Sequence, residues 1–178
     1  NLRSLSIFLP TPAQKLSQVT RYIRIRNSKI FDQKELLFAS PESLFGDFSE
    51  QFYRKFHVGY PKFHKMDNLS KLGFIGTDIL LKNNDLISKY NPYDIGVILS
   101  NRNSSLDTDL RHHRQVQTGP ASPAVFVYSL PNIVIGEICI RHGIKGENTF
   151  FIEKKYNIPG QVLYITQLLQ SGTLNACI

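Results

Sequence analysis

Four groupings in this 178-residue sequence hold side chains capable of chemistry. Lys154 and Lys155 are adjacent, and a lysine whose protonation is disfavoured by a neighbouring cation can act as a nucleophilic amine. A solvated Lys-Lys pair is the plainer reading. His112 and His113 lie between Arg111 and Arg114, a composition suited to a metal or a phosphate. Adjacent histidines point in different directions, however, and no third ligand is evident, so a solvated basic loop is expected. Asp107 and Asp109 could pair as acid and base, but nothing in their spacing places them in a cleft. Cys139 and Cys177 sit far apart in apolar runs, which reads as two buried, reduced thiols and not as a disulfide framework. No glycine-rich phosphate loop, Cys-x-x-Cys or Gly-x-Ser-x-Gly occurs, and no metal or cofactor is implied.

These side chains need elements to position them, and the periodicities supply most. Residues 1–20 read as an irregular extension interrupted by Pro10 and Pro12. Residues 21–26 alternate as a strand with a charged face, expected near a sheet edge. In residues 43–57, Phe45, Phe48, Phe52 and Phe56 recur at helical spacing, as in a short helix packed on the body. Residues 68–82 carry the stripe Leu69, Leu72, Ile75, Gly76, Ile79 and Leu80, with Asp67 or Asn68 available as a cap. Residues 94–99 read as a buried strand, and residues 100–123 as a long polar loop.

Residues 130–142 are apolar on nearly every side, which predicts a buried helix with Pro131 at its start and Gly143 past its end. Residues 149–152, 159–170 and 174–178 then read as strand, helix and strand, a βαβ unit that calls for parallel pairing. A sheet strand with no following cover suggests a fragment or a chain completed by a partner.

Composition sets outer limits. Apolar residues make up 42% and charged residues 20%, with 12 Phe and 8 Tyr, enough to build a core and so unlike a disordered chain. The longest uncharged apolar stretch, 124–136, contains Ser129, Pro131 and Asn132, too short and too polar for a membrane span of roughly 18 residues or more. The net charge of +7 favours acidic partners. Nucleic acid is not the expected one, because the cations are scattered and the aromatics sit at core spacing.

The segment 122–132, reading SPAVFVYSLPN, together with Gly136 and the run IRHGIKGEN at 140–148, resembles the amino-terminal half of the β-ketoacyl synthases, the condensing enzymes of fatty-acid and polyketide synthesis. Met66-Asp67 and Asp94-Ile95-Gly96-Val97 fit the same pattern, and the likeness extends over residues 22–178. It implies an α/β, thiolase-like fold with a mixed or parallel sheet and a buried central helix. Residues 21–178 would form the ketosynthase-like domain and residues 1–20 its extension.

In that family a cysteine nucleophile lies at a strand-to-helix turn. The family spacing from Gly146, and from Ser171-Gly172, lands both times on Lys155. The family's catalytic histidines belong to its carboxy-terminal half, and none of His57, His64, His112, His113 and His142 matches them. The resemblance therefore implies a non-catalytic, chain-length-factor-like subunit. It would pair with an active β-ketoacyl-ACP synthase, or with itself, in aryl-polyene-like or flexirubin-type biosynthesis in the cytoplasm. The alternative is a truncated or atypical 3-oxoacyl-ACP synthase with acyltransferase activity. By residue, the likeness implies an acyl-pocket role for Val125, Phe126 and Tyr128, and a dimer-axis strand at Thr149, Phe150, Phe151 and Ile152. The acidic acyl carrier protein would dock near Arg102, Arg111 and Arg114.

Overall fold

The computed structural model describes residues 4–10, 17–41 and 44–178. Its strands are β1 (Ser4–Pro10), β2 (Ser17–Arg26), β3 (Lys29–Asp32), β4 (Glu35–Ala39), β5 (Ile95–Asn101), β6 (Asn148–Ile152) and β7 (Ala176–Cys177). Its helices are α1 (Phe45–Lys55), α2 (Asn68–Leu81), α3 (Leu86–Lys89), α4 (Leu106–Thr118), α5 (Pro123–Val127), α6 (Ile133–His142) and α7 (Ile158–Gln170). Among the described residues the strands form one mixed sheet in the order β4-β3-β2-β1-β7-β5-β6. β1 to β4 are an antiparallel meander, while β5 pairs in parallel with both β6 and β7. β1 joins the two halves through the antiparallel pair Phe8 and Cys177.

Side-chain alternation gives the sheet two apolar faces. Ile7, Val97 and Ala176 join the larger core with α1, α2 and α6, whereas Phe8, Ile98 and Cys177 join Ile165 and Leu169 of α7 on the other face. Successive residues of a strand point to opposite faces, so both sides of β1, β5 and β7 must be covered. The crossover from β6 through α7 to β7, with β5 lying between those strands, provides the cover on the second face.

In the larger core, α1 presents Phe48 and Phe52, each 1% exposed, to Phe38 of β4, at ring separations of 5.7 and 6.3 Å. Each such side chain contributes about 1.5–3 kcal/mol by leaving water. The helical phenylalanine stripe is core packing, as its spacing suggests. α2 lies against α6 at Gly73, where a Cβ would collide with Val134 Cγ2. Gly143 ends α6 in the left-handed region, φ 69°, where its N–H donates to the Cys139 carbonyl.

The start of α2 is fixed by Asp67, which is 4% exposed. Its carboxylate accepts the Ser70 N–H at 2.9 Å and the Thr108 hydroxyl at 2.8 Å. The second bond belongs to α4, which also presents Asp107 to the Asn68 amide at 2.8 Å, while Ser105 just before the helix donates to the Ser129 carbonyl. One buried carboxylate thus caps a core helix and anchors a polar outer one.

Several sequence expectations change. The first twenty residues are not irregular where described: β1 pairs with β2 from Ser4 with Arg24 to Pro10 with Ser17. Residues 1–3 and 11–16, including Pro12, lie outside the described residues, as does Ser43 before α1. β2 is interior, between β1 and β3, because β1 supplies the neighbour that its pattern alone does not reveal. Residues 100–123 are not a loop: α4 forms there, with Thr108 its buried contact and polar bonds in place of an apolar stripe. The helix enclosed most fully is α2, buried continuously from Gly73 to Thr77, and not α6, whose Ile140 is 67% exposed. Pro131 precedes α6 by a turn instead of opening it.

Asp67→Ala should lower stability by about 2–4 kcal/mol, combining a lost helix cap with an orphaned Thr108 hydroxyl. Urea unfolding followed by far-UV circular dichroism measures this, and Asp67→Asn should recover part of the loss.

Candidate functional site

The carboxyl ends of parallel strands are where open α/β sheets form clefts. Here β5 ends at Asn101 and β6 at Ile152, and a cleft of about 700 Å³ opens beside them. One wall is apolar, built by Phe8 and Ile98 of the sheet and by Val162 and Ile165 of α7. The other wall is formed by Glu153 to Tyr156 of the loop that joins β6 to α7.

The wall is held by Gln161. Its amide donates to Ser100 Oγ at 2.7 Å and to Glu153 Oε2 at 2.6 Å, tying α7 to the ends of β5 and β6. Glu153 N–H also donates to the Asn101 carbonyl at 3.0 Å, carrying the ladder one residue past β6. Asn101 in turn accepts the Ser104 N–H at 2.7 Å and donates to its carbonyl at 2.8 Å, which shapes the turn bearing Arg102.

Lys155 lies in this loop, exposed and lining the cleft beside Lys154 and Tyr156. It occupies a strand-to-helix turn. The start of α7 offers few free amides: Pro159 has no N–H, Asn157 accepts the Gly160 N–H at 3.1 Å, and the Gln161 N–H donates to the Asn157 carbonyl at 3.1 Å. The thiols lie elsewhere. Cys139 is half-buried in α6, where burial raises its pKa, and Cys177 is wholly buried in β7, where burial pushes it up to about 12. A protonated, enclosed thiol is a poor nucleophile.

The residues of the 122–132 motif sit apart from this cleft. Val125 and Phe126 belong to the short helix α5, and Phe126 is 55% exposed with its ring 5.4 Å from that of His112. Tyr128 is instead buried, and its hydroxyl donates to Glu137 Oε1 at 2.9 Å. Burial first, and the Glu137 carboxylate second, raise the tyrosine pKa. Glu137 also receives Lys62 at 2.8 Å, while its Oε2 has no partner among the described residues. The apolar reading of residues 130–142 did not reveal that Glu137 faces inward. Its only sequence signal is a lone acid three residues after Val134, and so on the same helix face.

Of the three arginines, Arg102 lines the cleft, whereas Arg111 and Arg114 are exposed on α4. Asp107 and Asp109 bond to Asn68 and Ser105 and not to one another. The histidine pair is in the helix too, with His113 exposed. No group of three or more His, Cys, Asp and Glu is placed to hold a metal ion among the described residues. No described helix is long and apolar enough to cross a membrane.

Thr149, Phe150, Phe151 and Ile152 form β6, a free edge of the sheet among the described residues. Val97 N–H donates to the Glu147 carbonyl and Glu153 N–H to the Asn101 carbonyl. Bonds to a parallel neighbour involve alternate residues. Thr149 and Phe151 therefore bond inward to β5, and the backbone groups of Asn148, Phe150 and Ile152 point outward. The side chains of Phe150 and Phe151 take opposite faces, one against the larger core and one edge-on to Tyr164 at 5.4 Å. Neither the protein-family models nor the curated proteins yield a match to this chain.

In the folded chain at pH 8, Cys177 should react with a disulfide reagent about a thousandfold more slowly than an ordinary thiol of pKa 9.0, in proportion to its thiolate fraction. Both cysteines should titrate promptly in guanidinium chloride. Fast labelling of Cys177→Ser and wild type alike in the native state would locate the reactive thiol at Cys139.

Proposed function

We propose that this chain is a non-catalytic, ketosynthase-like subunit of thiolase-like fold, related in role to a chain-length factor. The observation that carries the reading is Lys155: the family spacing puts the nucleophile there, the residue lies exposed at a strand-to-helix turn, and the two thiols lie in other elements, Cys139 half-buried and Cys177 buried. Condensation needs a thiolate at that turn, and a lysine side chain does not supply it. The partner in this reading is an active β-ketoacyl-ACP synthase or a second copy, working in the cytoplasm on an aryl-polyene-like or related acyl chain.

The free edge of β6 supports the pairing. An edge carrying two adjacent phenylalanines and unpaired outward amides invites strand addition, and antiparallel pairing with a partner's β6 would cover it. The exposed Phe126, with Val125 beside it on α5, is available to reach a neighbour's acyl tunnel. The basic surface, with Arg102, Arg111 and Arg114 exposed, suits an acidic carrier protein.

Two measurements test this reading. Lys155→Cys, assayed with acyl and malonyl carrier proteins, should show no turnover, since one restored member of a concerted site recovers little of its rate. Measurable condensation would overturn the non-catalytic assignment. In sedimentation, the wild type should form a dimer, alone or with its synthase. Ile152→Pro removes an outward N–H without touching the bonds to β5, so it should weaken that dimer about tenfold or more while leaving the monomer folded. A wild type that stays monomeric in both settings rejects the pairing.

A further inference from the structure

The cleft beside Lys155 is charged in an unbalanced way. Three cations, Arg102, Lys154 and Lys155, line it against one acid, Glu153. All three cations are exposed, and none has an ion-pair or hydrogen-bond partner among the described residues. Glu153 makes no ion pair with any of them, its Oε2 accepting instead from the Gln161 amide, and one carboxylate leaves the positive charge in excess. Behind the cations the wall is aliphatic and aromatic: Phe8, Ile98, Val162 and Ile165, with Ile158 at the mouth. An apolar wall beside unpaired cations is complementary to a ligand with an apolar body and an anionic end.

We propose that this cleft binds an amphipathic anion, an aliphatic tail lying against α7 and a carboxylate or phosphate head between Arg102 and the two lysines. The start of α7 is not the source of the attraction, since Pro159 and Asn157 leave it few amides to give. Side-chain charge supplies it. Arg102 can meet two oxygens of the head at once, and the lysines act as point charges on flexible stems. The wall accounts for the tail, whose burial gives a favourable contribution independent of the head. The proposal stands on the cleft alone and holds whether or not the chain pairs through β6.

Calorimetric titration of the full chain with decanoate, decyl phosphate and decanol tests it. At least one of the two anions should bind saturably at one site, with decanol about tenfold weaker or worse, and the tighter anion identifies the head group. Added salt should weaken anion binding, since the cations are exposed. The double variant Lys154→Gln/Lys155→Gln should lose about tenfold in affinity. A second double variant with the same net charge, Lys29→Gln/Lys34→Gln, lies on the β3–β4 hairpin away from the cleft and should bind within twofold of wild type. Ile158→Ser should weaken all three ligands together. All these positions are exposed, so thermal unfolding should be unchanged, and that control keeps a loss of binding interpretable. Absence of saturable binding by either anion, decanol binding as tightly as the anions, or equal losses in the two double variants would each overturn the proposal.

Discussion

The structure depends on one constraint: β1, β7 and β5 must be buried on both faces. Their residues alternate between two apolar sets, with Ile7, Val97 and Ala176 toward α2 and α6, and Phe8, Ile98 and Cys177 toward α7. A strand that is apolar on both sides cannot leave either side to water. The larger core satisfies one face with several helices. The other face has α7, and so the chain must leave β6, cross over β5 and return as β7 with α7 laid across the gap. The loop that starts this crossover carries Glu153, Lys154 and Lys155, and the cleft is the space between that loop, α7 and the ends of the strands. Its position therefore follows from the need to cover the second face.

Elements whose burial is written along one segment were legible in the sequence. α2 shows its stripe and its capping aspartate; α7 has inward aliphatics and ends at Gly172; β5 is a short branched run. The parallel pairing was legible as well, because a strand, a helix and a strand in close succession leave few topologies. What failed has a shared physical cause. α4 is stabilised by hydrogen bonds to other elements: Thr108 to Asp67, Asp107 to Asn68 and Ser105 to Ser129. Such bonds leave no periodicity in the helix itself, so its polar sequence resembles a loop. β2 reads as an edge for a related reason, since its status depends on β1, a neighbour whose flanking prolines resemble irregular chain. α6 reads as apolar on nearly every side but buries only one face, against α2, β5 and β6, with Glu137 turned inward and Ile140 turned out. Its composition reports hydrophobicity, and only tertiary packing decides which face is used.

The candidate site was legible only in part. Lys155 was singled out by the resemblance, and the turn that holds it follows from the strand and helix read on either side of it. Arg102 was assigned by charge to a surface with Arg111 and Arg114, yet it belongs to the cleft and they belong to α4. Residues brought together by a sheet come from separate strands, and linear charge patterns do not record which strand ends are adjacent. Gln161, which joins Ser100 to Glu153, was invisible for the same reason: a glutamine on an amphipathic helix looks like solvent-facing filler until its partners are known.

The two edges of the sheet are built differently, and the difference matters to how this fold meets other molecules. β4 ends a tight meander, carries Lys34 and Glu35 at its turn, and bears a bulge at Leu37, opposite the step from Ile30 to Phe31. Charges and bulges of this kind discourage strand addition. β6 has neither. It contains no charged residue, no proline and no bulge, its register with β5 is regular over five pairs, and its outward backbone groups come from Asn148, Phe150 and Ile152. β6 thus lacks the charge and the bulge that discourage strand addition at β4. The cleft lies beside the carboxyl end of β6, so anything that added a strand there would stand next to Lys154 and Lys155. The free edge and the cleft are thus neighbours on one element.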